Sequence, residues 1–208
     1  EKDTFDPTET NFSSIATAIK ASNPDATLVI AFDQTKPLLK ALASAGVDMS
    51  KLYFVDGNTS DYSSELDAGL LKGSKGTIPG VNPSDDFIKR LESTGVDLKN
   101  TTTYAAETYD GIILAALAAQ KGGSADGKTI QANMAAVSGA DGGEKCDSYK
   151  ACLALLKDGK DIQYQGQTGI GPFNKNNDPS SANIGVYTFD GDNKPVFDHT
   201  QSGDVPTD

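Results

Sequence analysis

The sequence predicts an α/β fold in three layers, a parallel sheet flanked by helices. Two apolar, β-branched or aromatic runs, Ala26-Thr-Leu-Val-Ile-Ala-Phe32 and Leu52-Tyr-Phe-Val55, have the length of buried strands. Between them Leu38, Leu39, Leu42 and Ala45 recur at helical spacing over Lys36 to Ala45. Strand, helix, strand is the crossover unit of a parallel sheet. The second run ends in Asp56-Gly-Asn58, and open parallel sheets bind ligands beyond the carboxyl ends of their strands.

Each element has a local cause. Asp6-Pro-Thr-Glu-Thr-Asn11 reads as a capping loop, after which Phe12, Ile15, Ala16 and Ile19 line one helical face. Asn23-Pro24 ends that helix, because the residue before proline is pushed out of the α region. The second helix stops at Ala45-Gly46. Gly57 to Tyr62 is a polar loop at the mouth of the sheet, and Ser63 to Leu71 is expected to make one or two helical turns. Gly76-Thr-Ile-Pro-Gly80 reads as a short strand, and Pro83 to Leu91 as a helix with proline and acids in its first turn. Polar residues from Gly95 to Thr103 suggest a linker. Further helices are expected over Ala105 to Gln120, Thr129 to Val137 and Asp147 to Lys157. Asp161 to Gly166 alternates as a strand does, and Ile184 to Phe197 reads as a C-terminal β-hairpin around Asp190-Gly-Asp-Asn193.

Composition narrows the function. Lys and Arg number 18 against 29 Asp and Glu, a net charge of −11, which repels phosphate backbones and anionic membranes, so no nucleic-acid partner is expected. No stretch approaches the roughly 20 apolar residues that span a bilayer. Glu1-Lys-Asp-Thr4 has neither a basic segment nor an apolar core, so the chain reads as a soluble protein from which any targeting segment has been removed. Cys146 and Cys152 have five residues between them, too many for a thioredoxin-like pair, and the sole histidine, His199, is distant. A structural disulfide in an oxidising compartment is the first reading and two buried thiols the second. No metal, cofactor or catalytic residue is expected: one histidine beside a polar tail is a poor basis for a nucleophilic relay.

Other motifs reduce to structure. Asp190 to Asn193 lacks the glutamate that closes a calcium loop, and Gly169-Ile-Gly171 lacks the third glycine and the lysine of a phosphate cradle. Asp85-Asp86 suits a helix N-terminus. Asp56-Gly-Asn58 admits two readings, a ligand carboxylate or a strand-exit turn. Phe32 is either a ligand contact or core, and Asn58 and Tyr62 either line the mouth or belong to a solvated loop.

The chain resembles the C-terminal half of the type I periplasmic binding proteins of branched-chain amino acid ABC importers, in a Gram-positive, actinobacterial-like form. The resemblance rests on Asp6-Pro-Thr-Glu-Thr-Asn-Phe12, Ile19 to Asp25, Leu38 to Gly46, Phe54-Val-Asp-Gly57, Thr108-Tyr-Asp-Gly111 and Gly169-Ile-Gly-Pro-Phe173, in order over about residues 6–197. It implies two α/β lobes joined by a three-strand hinge, of which this chain is a fragment. Residues 1–103 would be a partial second lobe, 104–172 the helices and strand of the first-lobe side, 173–197 the return strands, and 198–208 a polar tail. It implies that Asp56 receives the α-ammonium of an amino acid and that Phe32, with Asp33, packs on the ligand. The partners implied are a small-molecule ligand, an amino acid, and a membrane permease, at an extracytoplasmic location with a lipid anchor in the full-length protein. The alternative is a ligand-sensing receptor domain of the same fold. A half-protein with open sheet edges is also expected to self-associate.

Overall fold

A computed structural model of the chain describes residues 3–98, 101–169 and 171–205, so part of the expected linker, residue 170 and the last three residues fall outside the described residues. Two units emerge. One comprises the chain up to Ile78 with Gly185–His199, the other Pro79–Ile184 with the chain from Thr200.

The first unit follows the predicted relay. Helix α1 (Ser13–Ser22) ends on Asn23 in the left-handed region (φ 45°), and strand β1 (Thr27–Val29) follows. Helix α2 (Thr35–Ser44) gives way at Gly46 (φ 72°) to strand β2 (Leu52–Val55), then strand β3 (Lys75–Pro79). These strands pair in parallel, with Val29 opposite Phe54 and Phe54 opposite Gly76. Phe12 and Ala16 of α1, Leu38, Leu39 and Leu42 of α2, and Val29, Leu52 and Phe54 of the sheet form one buried cluster with Tyr62, Leu71 and Phe189. Each such apolar side chain contributes roughly 1.5–3 kcal/mol on burial, which is why the periodic positions fix the helices on the sheet.

Strand β6 (Ser181–Phe189) and strand β7 (Pro195–Asp204) extend the sheet, whose order is β1-β2-β3-β6-β7. Bonds from Phe189 N–H to the Ser74 carbonyl (2.9 Å) and from Gly80 N–H to the Asn183 carbonyl (2.7 Å) make β6 antiparallel to β3. The hairpin turn is closed by Asp190 Oδ1, which accepts the Asp192 and Lys194 N–H groups at 2.8 and 2.9 Å. Asn193 is fully buried, its amide bonded to the Leu71 N–H and the Asp67 carbonyl.

Three expectations are revised. The run 26–32 is a strand only over Thr27–Val29, because the Phe32 N–H turns to the Gln34 side chain. Residues 63–71 make turns and no helix, their backbone held by Asn193. Strand β7 continues to Asp204, well past Phe197 where a polar tail is expected, since its polar side chains lie on an exposed edge while its backbone pairs with β6. Within the second unit helix α3 (Asp85–Glu92) packs on helix α4 (Ala105–Gly122): the Phe87 and Tyr109 rings lie 5.3 Å apart, with the Arg90 guanidinium 5.2 and 4.9 Å from their centroids.

The second unit adds helix α5 (Gly127–Ser138), strand β4 (Glu144–Cys146), helix α6 (Tyr149–Lys157) and strand β5 (Ile162–Tyr164), with β4 and β5 paired in parallel. Asp126 caps α5 by accepting the Lys128 and Thr129 N–H groups, and its bonds to Ser124 and Thr129 lower its carboxyl to about 2. Cys146 and Cys152 form a disulfide, so the two-thiol reading is set aside. Buried Asp110 accepts four bonds, from the Tyr164 hydroxyl (2.9 Å), the Gln167 and Thr168 N–H groups (3.0 and 2.8 Å) and the Thr168 hydroxyl (2.9 Å). Gly166 is required there, since a Cβ at that position would lie 2.2 Å from Asp110 Oδ1.

Candidate functional site

The carboxyl ends of β1 and β2 are shaped by hydrogen bonds that consume almost every nearby polar group. Beyond β1, the Phe32 N–H donates to Gln34 Oε1 (3.3 Å) and the Phe32 carbonyl accepts the Thr35 N–H (2.9 Å), while the Gln34 amide nitrogen donates to the Pro7 carbonyl. With its backbone committed to the turn into α2, Phe32 leaves its ring 73 % exposed. Phe32 is therefore not core. Asp33 follows it on the surface. The neighbouring Lys36 is held above its ordinary pKa, first by its bond to Glu65 (2.6 Å) and further by the charge of Asp33.

Beyond β2, exposed Asp56 takes the left-handed conformation (φ 41°) and opens a single 3-10 turn, Asp56–Asn58, closed by the Thr59 N–H on the Asp56 carbonyl (3.0 Å). Aspartate tolerates that region better than most residues, and such conformations cluster at functional sites. The turn is pinned by Asn58, whose Oδ1 accepts the Val55 N–H (2.7 Å) and whose Nδ2 donates to the Val29 carbonyl (2.9 Å), joining the ends of β2 and β1. Thr59 adds a bond from its hydroxyl to the Thr77 carbonyl of β3 (3.2 Å).

The strand ends thus bring Phe32, Asp56, Gly57 and Asn58 to one place, with Asp33 beside them. Phe32 and Gly57 touch: a Cβ at residue 57 would lie 2.6 Å from two carbons of the phenyl ring. Asn58 is wholly buried, and its amide is committed at both ends. Tyr62 is likewise buried under the turn, stacked on Phe189, with its hydroxyl donating to the Asn58 carbonyl (2.9 Å). Burial raises the Tyr62 phenol to about 12.

A separate surface depression of about 460 Å³, between the start of α1 and α2, is lined by Asn11, Ser13, Thr17, Lys40 and Ser44 and includes none of the strand-end residues. Among the described residues, no group of three or more His, Cys, Asp or Glu could hold a metal ion, and no helix is long and apolar enough to cross a membrane.

No curated protein matches the sequence closely enough to count as a relative. A crystal structure described as an ABC transporter permease from the Pseudomonas fluorescens group is 19 % identical, with a TM-score of 0.46 over 91 % of this chain and 46 % of that one. The chain thus spans about half the length of that protein. A profile described as periplasmic binding protein matches residues 1–150, a span that takes in all of α1, β1, α2, β2 and β3 and the strand-end turn at Asp56. With parallel strands ending at an acid and an exposed ring, and that match over most of its length, the chain belongs to the periplasmic binding protein family.

Proposed function

We propose that the chain is part of the solute-binding component of an ABC importer that captures an amino acid between two lobes and delivers it to a membrane permease, without chemical change. The observation that carries this reading is the pairing of Asp56 and Phe32 at the carboxyl ends of adjacent parallel strands, where open α/β sheets hold small ligands. A carboxylate offers a charge-assisted hydrogen bond to an α-ammonium, and an exposed phenyl ring beside it offers apolar contact to the rest of the ligand. Asp33 lies at the rim, and Asn58 sets the turn from beneath. Binding that favours the closed arrangement of the lobes shifts the population toward it. The Cys146–Cys152 disulfide supports an extracytoplasmic location.

The test is isothermal titration of the full-length protein with an amino-acid panel, for wild type and Asp56→Ala. Loss of the charge-assisted bond, about 1.5–3 kcal/mol, weakens binding by roughly 10- to 150-fold. Equal affinities for the two proteins would remove Asp56 from the site, and no heat with any member of the panel would remove amino acids as the ligand class.

A further inference from the structure

The chain changes unit at three points, 78/79, 184/185 and 199/200, and these fall in β3, β6 and β7, which are neighbours in the sheet. Immediately on the second unit's side of these points stands Asn183, and three of its polar groups each reach a different segment. Its carbonyl accepts the Gly80 N–H just beyond β3 (2.7 Å). Its side-chain oxygen accepts the Ser202 hydroxyl of β7 (2.6 Å). Its side-chain nitrogen donates to the Thr168 carbonyl (2.9 Å), and Thr168 is itself bonded through both its N–H and its hydroxyl to buried Asp110 on α4. Beside Gly80, Glu107 of α4 accepts the Val81 N–H (2.9 Å), which ties the start of that segment to the same helix.

We propose that Asn183 is a clamp that binds the second-unit ends of β3, β6 and β7 to each other and to α4, so that these segments open to solvent as one cooperative unit. The physical case is one of shared partners. A backbone bond alone joins neighbouring strands pairwise, whereas one amide with both ends occupied couples β7 to the 166–168 loop through β6.

Hydrogen–deuterium exchange of the full chain, followed residue by residue without ligand, tests it. In the wild type the amide of Gly80 and those amides of residues 200–205 that are bonded to β6 or to Ser180 just before it, Val205 among them, are expected to exchange with one common protection factor, as a single cooperative unit does. In Asn183→Leu, which keeps side-chain volume and removes both amide bonds, the 200–205 and 167–168 amides should exchange at least about tenfold faster while those of β1 and β2 keep their protection. Ser202→Ala removes the β7 arm alone and should release 200–205 while leaving 167–168 protected; it serves as the decisive variant if Asn183→Leu loses protection throughout. Unequal protection of Gly80 and the bonded amides of 200–205 in the wild type, or unchanged exchange of those bonded amides in Ser202→Ala, would overturn the clamp. Either result leaves the titration of Asp56 untouched.

Discussion

The Phe32 ring rests directly on the α-carbon of Gly57, so the last residue before the β1–α2 turn and the second residue after β2 are shaped by each other. A methyl at 57 would lie 2.6 Å from Cδ1 and Cε1, inside any tolerated contact. Because the ring is largely exposed, it can swing away at little cost. Gly57→Ala should therefore lower stability by less than about 1 kcal/mol in urea denaturation while displacing the ring, read as a shift of the Phe32 aromatic proton resonances. A loss of several kcal/mol would mean that the ring is braced by more than Gly57.

Asn58→Leu should be costly. The substitution keeps the volume but orphans the Val55 N–H and the Val29 carbonyl at a fully buried position. Two unsatisfied groups at about 1–3 kcal/mol each predict a drop of roughly 2–6 kcal/mol, seen as a lower urea midpoint with an unchanged slope. A variant as stable as the wild type would show that the strand ends are held by something other than this amide.

How far the fold is legible follows from which residues act locally. Strand β2 is legible because Leu52 to Val55 are apolar in one unbroken run, and α2 because Leu38, Leu39 and Leu42 share a face. Strand β4 is not, since Glu144 and Lys145 are exposed and only Cys146 is buried, so three residues show no pattern until β5 pairs with them. Residues 63–71 carry helix-compatible side chains, yet their backbone is satisfied by Asn193, more than 120 positions away in the chain. The site divides in the same way. The acid at a strand end and the ring at its neighbour can be read from position, but the burial of Asn58 and Tyr62 depends on the Val29 carbonyl and on Phe189, which no local pattern announces.

Stability should fall in alkali, with the onset set by Tyr62. Its folded pKa is raised from 10.0 to about 12, so its contribution is complete below pH 10, where the phenol is neutral in both states. Above pH 10 the unfolded chain ionises and the folded chain does not, which favours unfolding until about pH 12. Two pKa units predict a loss of about 3 kcal/mol across that window. Tyr164, raised by burial and by its bond to Asp110, acts in the same direction. Urea midpoints measured from neutral pH upward, with tyrosinate absorbance in parallel, should decline once pH 10 is passed, and Tyr62→Phe should flatten part of that decline. A midpoint that holds steady into the strongly alkaline range would contradict the burial of this phenol.

Among the described residues, strands β1 and β2 are covered on one face only. Val29, Leu52 and Phe54 point to α1 and α2, whereas Leu28, Ile30 and Tyr53 alternate to the other side and are 61 %, 70 % and 42 % exposed, with Leu28 opposite Tyr53 in register. Parallel strands are ordinarily buried on both faces, so this patch should drive copies of the chain together. The net charge of −11 opposes that contact at long range, and salt screens charge without weakening apolar burial. Association should therefore strengthen with added salt, which sedimentation velocity at tens of micromolar protein would detect as a faster-moving species. Ile30→Lys places a charge at the centre of the patch and should return the protein to monomer. A monomer at every salt concentration, or association indifferent to Ile30→Lys, would show that this face is not what brings the copies together.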